Sequence, residues 1–169
     1  MNLLAEVEIE ADAAQAWHIL GECWGHIGQW AVPITLSELD GPPCAGATRT
    51  CHTARFGPVP PGLIRERLVV FDAAARTFTY QSVEGMPGFV ARAQNTWTVE
   101  ERGNGRCVVR TEASVELRGP MRLFAPLLKL SFSRNGARVL EELKYRVEHG
   151  TPHPRKLAAQ PELVLAHGC

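Results

Sequence analysis

From residue 47 to residue 117 the sequence repeats one pattern, a stretch in which apolar and polar residues alternate, followed by a turn. Alternation with a period of two is typical of a half-buried β-strand. The strand-like stretches recur about every ten residues, at residues 47–54, 63–71, 77–83, 91–100 and 106–117. Links this short join antiparallel neighbours, because a parallel crossover needs a longer connection. We therefore predict an antiparallel meander.

Four further elements precede the meander: a strand, a helix, a short helix or turn, and a strand, at residues 3–10, 13–20, 24–30 and 34–39. The pair Asp12 and Gln15 has the spacing of a helix N-terminal capping box, which places the helix start next to Ala13.

The last regular segment is long and helical. It begins near Pro126 and keeps an apolar stripe to about Glu148, which predicts a helix of ~35 Å, long enough to cross a small domain. The expected fold class is α+β: a curved antiparallel sheet of about seven strands around a long C-terminal helix, with two short helices after the first strand.

Several short motifs resemble, in order along the chain, those of the START-like superfamily, whose fold is called helix-grip. The stretch VEIEADAAQAW at residues 7–17 resembles its opening strand and helix. Trp30, Glu38 and the stretch 46–49 resemble the W…E…G…R progression of the next two strands, and Glu66 resembles the glutamate of the fourth. The resemblance covers about residues 4–148 and points to the polyketide cyclase/dehydrase-like branch.

The resemblance implies a START-like ligand-binding domain over residues 1–150 with an internal cavity for a small hydrophobic molecule of lipid, polyketide or aromatic type. It implies no cofactor. The alternative is a cofactor-independent polyketide cyclase or dehydratase, a lyase- or isomerase-type enzyme that uses Glu66 and Arg49. A homodimer stays open as well, since START-like sheets often have an edge that can pair. The tail, residues 151–169, is expected to be flexible or to hold one short helical turn.

Arg49 and Glu66 are the clearest candidates for a catalytic or ligand-binding role. Strand parity, together with the register of the family, points both side chains towards the concave, otherwise apolar face. Burying either charge alone would cost several kcal/mol, so each needs the other or a polar ligand. One reading is an ion pair that holds adjacent strands together. The other has Glu66 transferring a proton while Arg49 holds a carbonyl or enolate oxygen.

Further residues are predicted to line or close the cavity. Asn95 and Trp97 alternate inward on one strand, Asn95 as a hydrogen-bonding group and Trp97 as an apolar wall or simply as core, and Thr111 adds a hydroxyl on the next strand. The apolar candidates are Phe56, Ile64, Leu68, Met86, Leu128 and Phe132.

Charge and motif content exclude several classes. The 18 basic residues balance the 18 acidic ones, which argues against a nucleic-acid partner and against long-range attraction to an anionic membrane. Acidic residues follow the first apolar residues where a signal peptide would be positively charged, and no apolar run is long enough to span a bilayer. We expect a cytoplasmic chain without integral membrane association. The histidines do not cluster in a ligand motif, so no metal site is predicted.

Overall fold

The computed structural model describes residues 1–55 and 60–163. Seven strands form a single antiparallel sheet with the order β1-β7-β6-β5-β4-β3-β2. Their bounds are β1 Asn2–Ile9, β2 Ile34–Leu39, β3 Thr48–Thr53, β4 Gly62–Asp72, β5 Thr77–Glu84, β6 Val90–Gly103 and β7 Arg106–Leu117. The meander β2 to β7 runs in sequence order, and β1 joins its far edge beside β7. This confirms the sheet expected from the alternation.

Helical segments flank the sheet in the expected places. After β1 come α1 (Ala13–Trp17), a π-helical turn (His18–Glu22) and a 3-10 segment (Trp24–Gln29). After β7 come a 3-10 turn (Gly119–Phe124), the long helix α2 (Ala125–His149) and a short helix α3 (Pro154–Ala159). With the sheet curved around α2, the helix-grip fold is confirmed. None of the helices that the structure describes is long and apolar enough to cross a membrane.

Local contacts explain where the helices begin and end. The Asp12 carboxylate accepts from the backbone N–H of Gln15 at 2.7 Å and caps α1. The Gln15 side chain does not complete a capping box but donates to the Val147 carbonyl on α2. The α-helix gives way to a π-turn before Leu20, where a Cβ on Gly21 would meet the Trp17 ring at 2.6 Å. Gly150, in the left-handed conformation at φ 70°, ends α2.

The core lies between the concave face of the sheet, the first helical segments and the second half of α2. An aromatic group at its centre joins Trp17 and Trp24 to Phe78. On α2, the buried apolar residues Leu140 and Val147 both belong to the second half. At the start of α2, Leu128 packs on a small cluster around Val115, and space is left under the part of the helix between Phe132 and Val139.

The tail contains a helical turn, one of the two alternatives considered for it. α3 packs on the connection before β2 through Lys156, which is fully buried. Its Nζ donates to the carbonyls of Ala31 at 3.0 Å and Ile34 at 2.6 Å, and also contacts Gln160. Burial lowers the pKa of Lys156 to about 8, against the opposing effect of Glu142.

Candidate functional site

The candidate site is a cavity of about 280 Å³ between the concave face of the sheet and the first half of α2. Phe132 and Val139 on α2 form its cover. Small residues line it on both sides, Ala5 on β1 and the neighbouring Ala113 on β7 in the sheet, and Gly136 on α2. A Cβ built on Gly136 meets no atom within 4 Å. The space therefore follows from missing side-chain bulk at these three positions.

An ion pair lies in the wall of this cavity. Arg49 on β3 and Glu66 on β4 are direct partners in the antiparallel register, so both side chains leave the same face. Nε and Nη2 of Arg49 donate to Oε2 of Glu66 at 3.0 and 2.5 Å. The arginine side chain is 2% exposed and the glutamate side chain 13%. The guanidinium also donates to the Trp24 carbonyl and lies 4.1 Å from the Trp24 ring centroid.

The pair fixes the charge of Arg49. Burial alone would lower the pKa of the guanidinium, but Glu66, with smaller contributions from Cys51 and Tyr80, outweighs this and holds the pKa of Arg49 above its ordinary value. Arg49 is therefore a permanent cation at the wall of an apolar space.

A second set of polar groups continues from the ion pair across the sheet. Thr111 donates to Oδ1 of Asn95 at 2.7 Å, and Nδ2 of Asn95 donates to the Tyr80 hydroxyl at 3.4 Å. Burial and then the Glu66 carboxylate raise the pKa of Tyr80, so its hydroxyl keeps its proton. Five neighbouring strands thus supply one residue each to a polar row: Arg49, Glu66, Tyr80, Asn95 and Thr111.

Cys51 lies beside the ion pair but is not an activated nucleophile. Its Sγ is 3.7 Å from Oε2 of Glu66, a contact in which the thiol donates its proton. Burial raises the pKa of Cys51 to about 12, and the Arg49 charge does not offset this.

Six of the residues expected from the sequence meet in the cavity wall: Arg49, Glu66, Asn95, Trp97, Thr111 and Phe132. Trp97 also belongs to the hydrophobic core, so the two readings considered for it are compatible.

The structure places four predicted lining residues elsewhere. Leu68 is buried in the core because the first helical segments cover that part of β4. Met86 and Leu128 pack against the cluster of Val90, Val115 and Leu117, which borders the cavity through Val115, and neither side chain is in the cavity wall. Ile64 is partly buried beside Cys51, on the side of Glu66 where β4 begins, and is not in the cavity wall. Phe56 lies outside the described residues.

Sequence reasoning missed Tyr80 and the helix residues Ser133 and Asn135, all of which line the cavity. For Tyr80 a signal existed, because Phe78 and Tyr80 alternate on β5 in the same way as the inward residues of β6. For Ser133 and Asn135 no signal existed, since polar residues on a helix normally face water.

The described residues, 1–55 and 60–163, contain no group of three or more His, Cys, Asp or Glu side chains that could hold a metal ion.

A sheet that grips a long helix, with an apolar cavity and a polar row between them, defines the helix-grip class of proteins. Within this class, the profile of the family described as polyketide cyclase / dehydrase and lipid transport matches residues 3–148. The chain belongs to this family. No curated protein sequence matches the chain significantly.

Solved structures share the fold at low sequence identity. The di-domain ARO/CYC protein BexL has a TM-score of 0.73 at 19% identity, over 88% of this chain and 46% of BexL, so the chain spans about half the length of that protein. The Zhui aromatase/cyclase from a Streptomyces species has a TM-score of 0.71 at 17% identity, over 90% of this chain and 99% of that one. Norcoclaurine synthase from Thalictrum flavum, in complex with dopamine and hydroxybenzaldehyde, has a TM-score of 0.62 at 18% identity, over 88% and 87%.

Proposed function

We propose that the chain binds a small, largely apolar molecule with one oxygen-bearing end, which lies in the cavity with that end over the polar row. The observation that carries the proposal is the cavity's composition: an apolar space whose wall holds a row of polar side chains from five neighbouring strands, the Arg49–Glu66 ion pair and the hydrogen-bonded residues Tyr80, Asn95 and Thr111. Apolar contact supplies affinity in such a site, and the few polar groups fix orientation.

The cavity volume limits the size of the ligand. A cavity of ~150 Å³ encloses benzene, and this one measures about 280 Å³. A molecule of about two fused rings, or a folded chain of similar volume, fills it. A longer ligand would have to displace the cover formed by Phe132 on α2.

The polar row selects the chemistry of the ligand's end. All three described contacts of the Glu66 carboxylate use Oε2, two from Arg49 and one from Cys51, which leaves the lone pairs of Oε1 to accept from a ligand hydroxyl. The protonated Tyr80 hydroxyl accepts from Asn95 and keeps its own proton to donate. A phenol, an enol or a hydroxyketone satisfies both groups at once, whereas a carboxylate would meet Glu66 with like charge.

A second candidate is a cofactor-independent cyclase or dehydratase, favoured by the presence of a carboxylate and a protonated hydroxyl in one cavity. Glu66 would remove a proton from the carbon next to a ligand carbonyl, and Arg49 or Tyr80 would stabilise the enolate oxygen. The enolate carbon would then attack a second carbonyl of the same ligand, and the resulting alkoxide would take a proton. Loss of water from that product would complete a condensation.

The first experiment is native mass spectrometry of freshly purified protein, followed by denaturing release and identification of any bound molecule. Wild type and two variants are compared, Gly136→Leu, which fills the cavity, and Ala137→Leu, which makes the neighbouring change on an exposed position of the same helix. A retained molecule that is absent only from Gly136→Leu supports the proposal. An uncharged naphthylamine fluorophore serves as probe where no molecule is retained. Equal affinity of all three proteins for it contradicts the proposal.

Binder and enzyme respond differently to Glu66→Gln. In a binder the ligand affinity falls, because an amide is a weaker acceptor for the ligand hydroxyl, and no product forms in either protein. In an enzyme the affinity is kept and turnover is lost. Unchanged affinity and unchanged turnover would show that Glu66 is not part of the site.

A further inference from the structure

The outward face of the helix that covers the cavity is apolar at its start. We call the outer stripe the four residues that protrude there, Leu123 at 82% exposure, Phe124 at 54%, Leu127 at 66% and Leu130 at 50%. Leu127 and Leu130 lie on one side of α2, opposite the cavity-lining residues Phe132 and Val139. Leu123 and Phe124 protrude from the 3-10 turn directly before the helix. The described part of the chain buries none of the four.

The start of α2 therefore exposes large apolar residues on its outward face, with Lys129 and Ser131 as the polar residues exposed among them. Residues 123–132, LFAPLLKLSF, contain a single charge, Lys129. Leu128 packs inward against the small apolar cluster while Leu127 and Leu130 point away from it. A helix with apolar residues on both its inner and its outer face is stable when it is covered on both sides, by protein or by lipid.

Charge around the outer stripe is of one sign. Residues 118–138 carry five basic side chains and no acidic one, although the chain as a whole is neutral. Arg134 and Arg138 follow Leu130 at intervals of four residues, so they continue the line of the stripe along the helix. Arg134 lies about 10 Å along the axis from Leu127. The net charge of the whole chain is zero, which argues against long-range attraction to an anionic membrane, but residues 118–138 are locally basic.

We propose that the outer stripe docks on the surface of an anionic lipid bilayer, with Leu123, Phe124 and Leu127 in the acyl boundary and Arg134 and Arg138 at the headgroups. If the start of the helix tilts into the bilayer, Leu127 enters the acyl boundary while Arg134, about 10 Å further along the axis, stays at the headgroups. The described helices are too short or too polar to span, so this attachment is peripheral. It goes beyond the proposed function and does not require the ligand.

Two other occupants fit the charges less well. A second copy that met this face across a twofold axis would bring five positive charges against five, with no acidic residue from 118–138 to pair with them. An acidic protein would satisfy the arginines, but its surface would have to be apolar as well to cover Leu123, the most exposed of the four. A bilayer provides an apolar layer and anionic headgroups together.

Vesicle flotation tests the proposal with two lipid mixtures, phosphatidylcholine alone and phosphatidylcholine with added phosphatidylglycerol. The variants are Leu123→Ser with Leu127→Ser, for the apolar contact, and Arg134→Gln with Arg138→Gln, for the charge. Their matched controls are Leu36→Ser, an exposed leucine on β2, and Arg67→Gln, an exposed arginine on β4. Circular dichroism and a naphthylamine titration establish that each variant is folded and that its cavity is intact.

The wild type should float with the anionic vesicles, less so as salt is added, and far less with phosphatidylcholine alone. Each arginine replaced should lower partitioning about fivefold, and the leucine pair should lower it more than tenfold. The two controls should behave as wild type. Three results would each overturn the proposal: no flotation of folded wild type, flotation unaffected by the leucine pair, or release by added acidic protein and not by salt. None of these depends on whether the cavity binds a ligand.

Discussion

Replacing Glu66 with leucine should destabilise the protein by about 3 kcal/mol, because it leaves the Arg49 charge buried without its counterion. The structure sets this magnitude. Glu66 receives two of the guanidinium's donors, at 3.0 and 2.5 Å, and Arg49 is 2% exposed, so water cannot replace the carboxylate. The remaining contacts with the Trp24 carbonyl and ring keep the loss near the lower end of the range for broken buried pairs.

Combining Glu66→Leu with Arg49→Met should restore most of the stability, to within about 1 kcal/mol of wild type, since neither charge then remains to be solvated. Urea unfolding followed by tryptophan fluorescence measures both variants, with unchanged m-values as the check that only stability has moved. In thermal scans the single variant should melt about 6–12 °C below wild type.

A loss below about 1 kcal/mol for Glu66→Leu would refute the reasoning, because it would mean that the pair is solvated rather than closed. A double variant as unstable as the single one would refute it too, since the cost would then come from packing and not from an unpaired charge. If the double variant is stable, it also separates the two roles of the pair. It should bind an uncharged apolar probe normally and lose affinity for a phenolic one.

Three further predictions test other parts of the structure. Gly136→Ala should raise the free energy of unfolding by about 0.5–1 kcal/mol in urea titrations, because its methyl group enters open space; a decrease would mean that the backbone there is tightly packed. Because the folded pKa of Lys156 is about 8 and its ordinary value is 10.5, the unfolded chain binds more protons at this side chain between these pH values, so the contribution of Lys156 to stability should rise with pH across that window. The raised pKa of Cys51 acts in the opposite direction in every variant, so the test is a difference: the free energy of unfolding of wild type minus that of Lys156→Met should rise with pH, and Lys129→Met should behave as wild type. Ellman's reagent should modify the exposed Cys44 in the folded protein, whereas Cys51, with its pKa of about 12, should react only on unfolding.

The fold could be predicted from the sequence because its signals are local and repeated. Strand β7 shows this best, since residues 106–117 alternate without interruption and the observed strand has the same bounds. Where the secondary structure expected from the sequence was wrong, a tertiary contact explains the difference. The helix expected over 13–20 changes to a π-turn at His18, and the Trp17 ring that occupies this region can be placed only with the whole core.

Only the part of the site that lies on strands could be predicted, because strand parity gives the face of the sheet on which a residue lies. Arg49, Glu66 and Asn95 could be found because a strand gives every second residue the same face. Leu68 has the same parity as Glu66 and yet lies in the core, because the position of the first helical segments decides which part of the face is covered. Which inward-facing residues are covered by helices, and how deeply they are buried, depends on elements distant in sequence. The alternation of apolar and polar residues within a strand gives no information about those elements.

The order of elements along the chain has a consequence for how the protein is made. All seven strands lie before residue 118, while the cover of the cavity is α2, which begins at Ala125. During synthesis the sheet therefore leaves the ribosome with its apolar concave face open, and the helix arrives afterwards. The contacts of Lys156 with Ala31 and Ile34 form later still, because α3 follows α2. The nascent chain thus passes through a stage in which the residues that form the floor of the cavity have been made and those that form its cover have not.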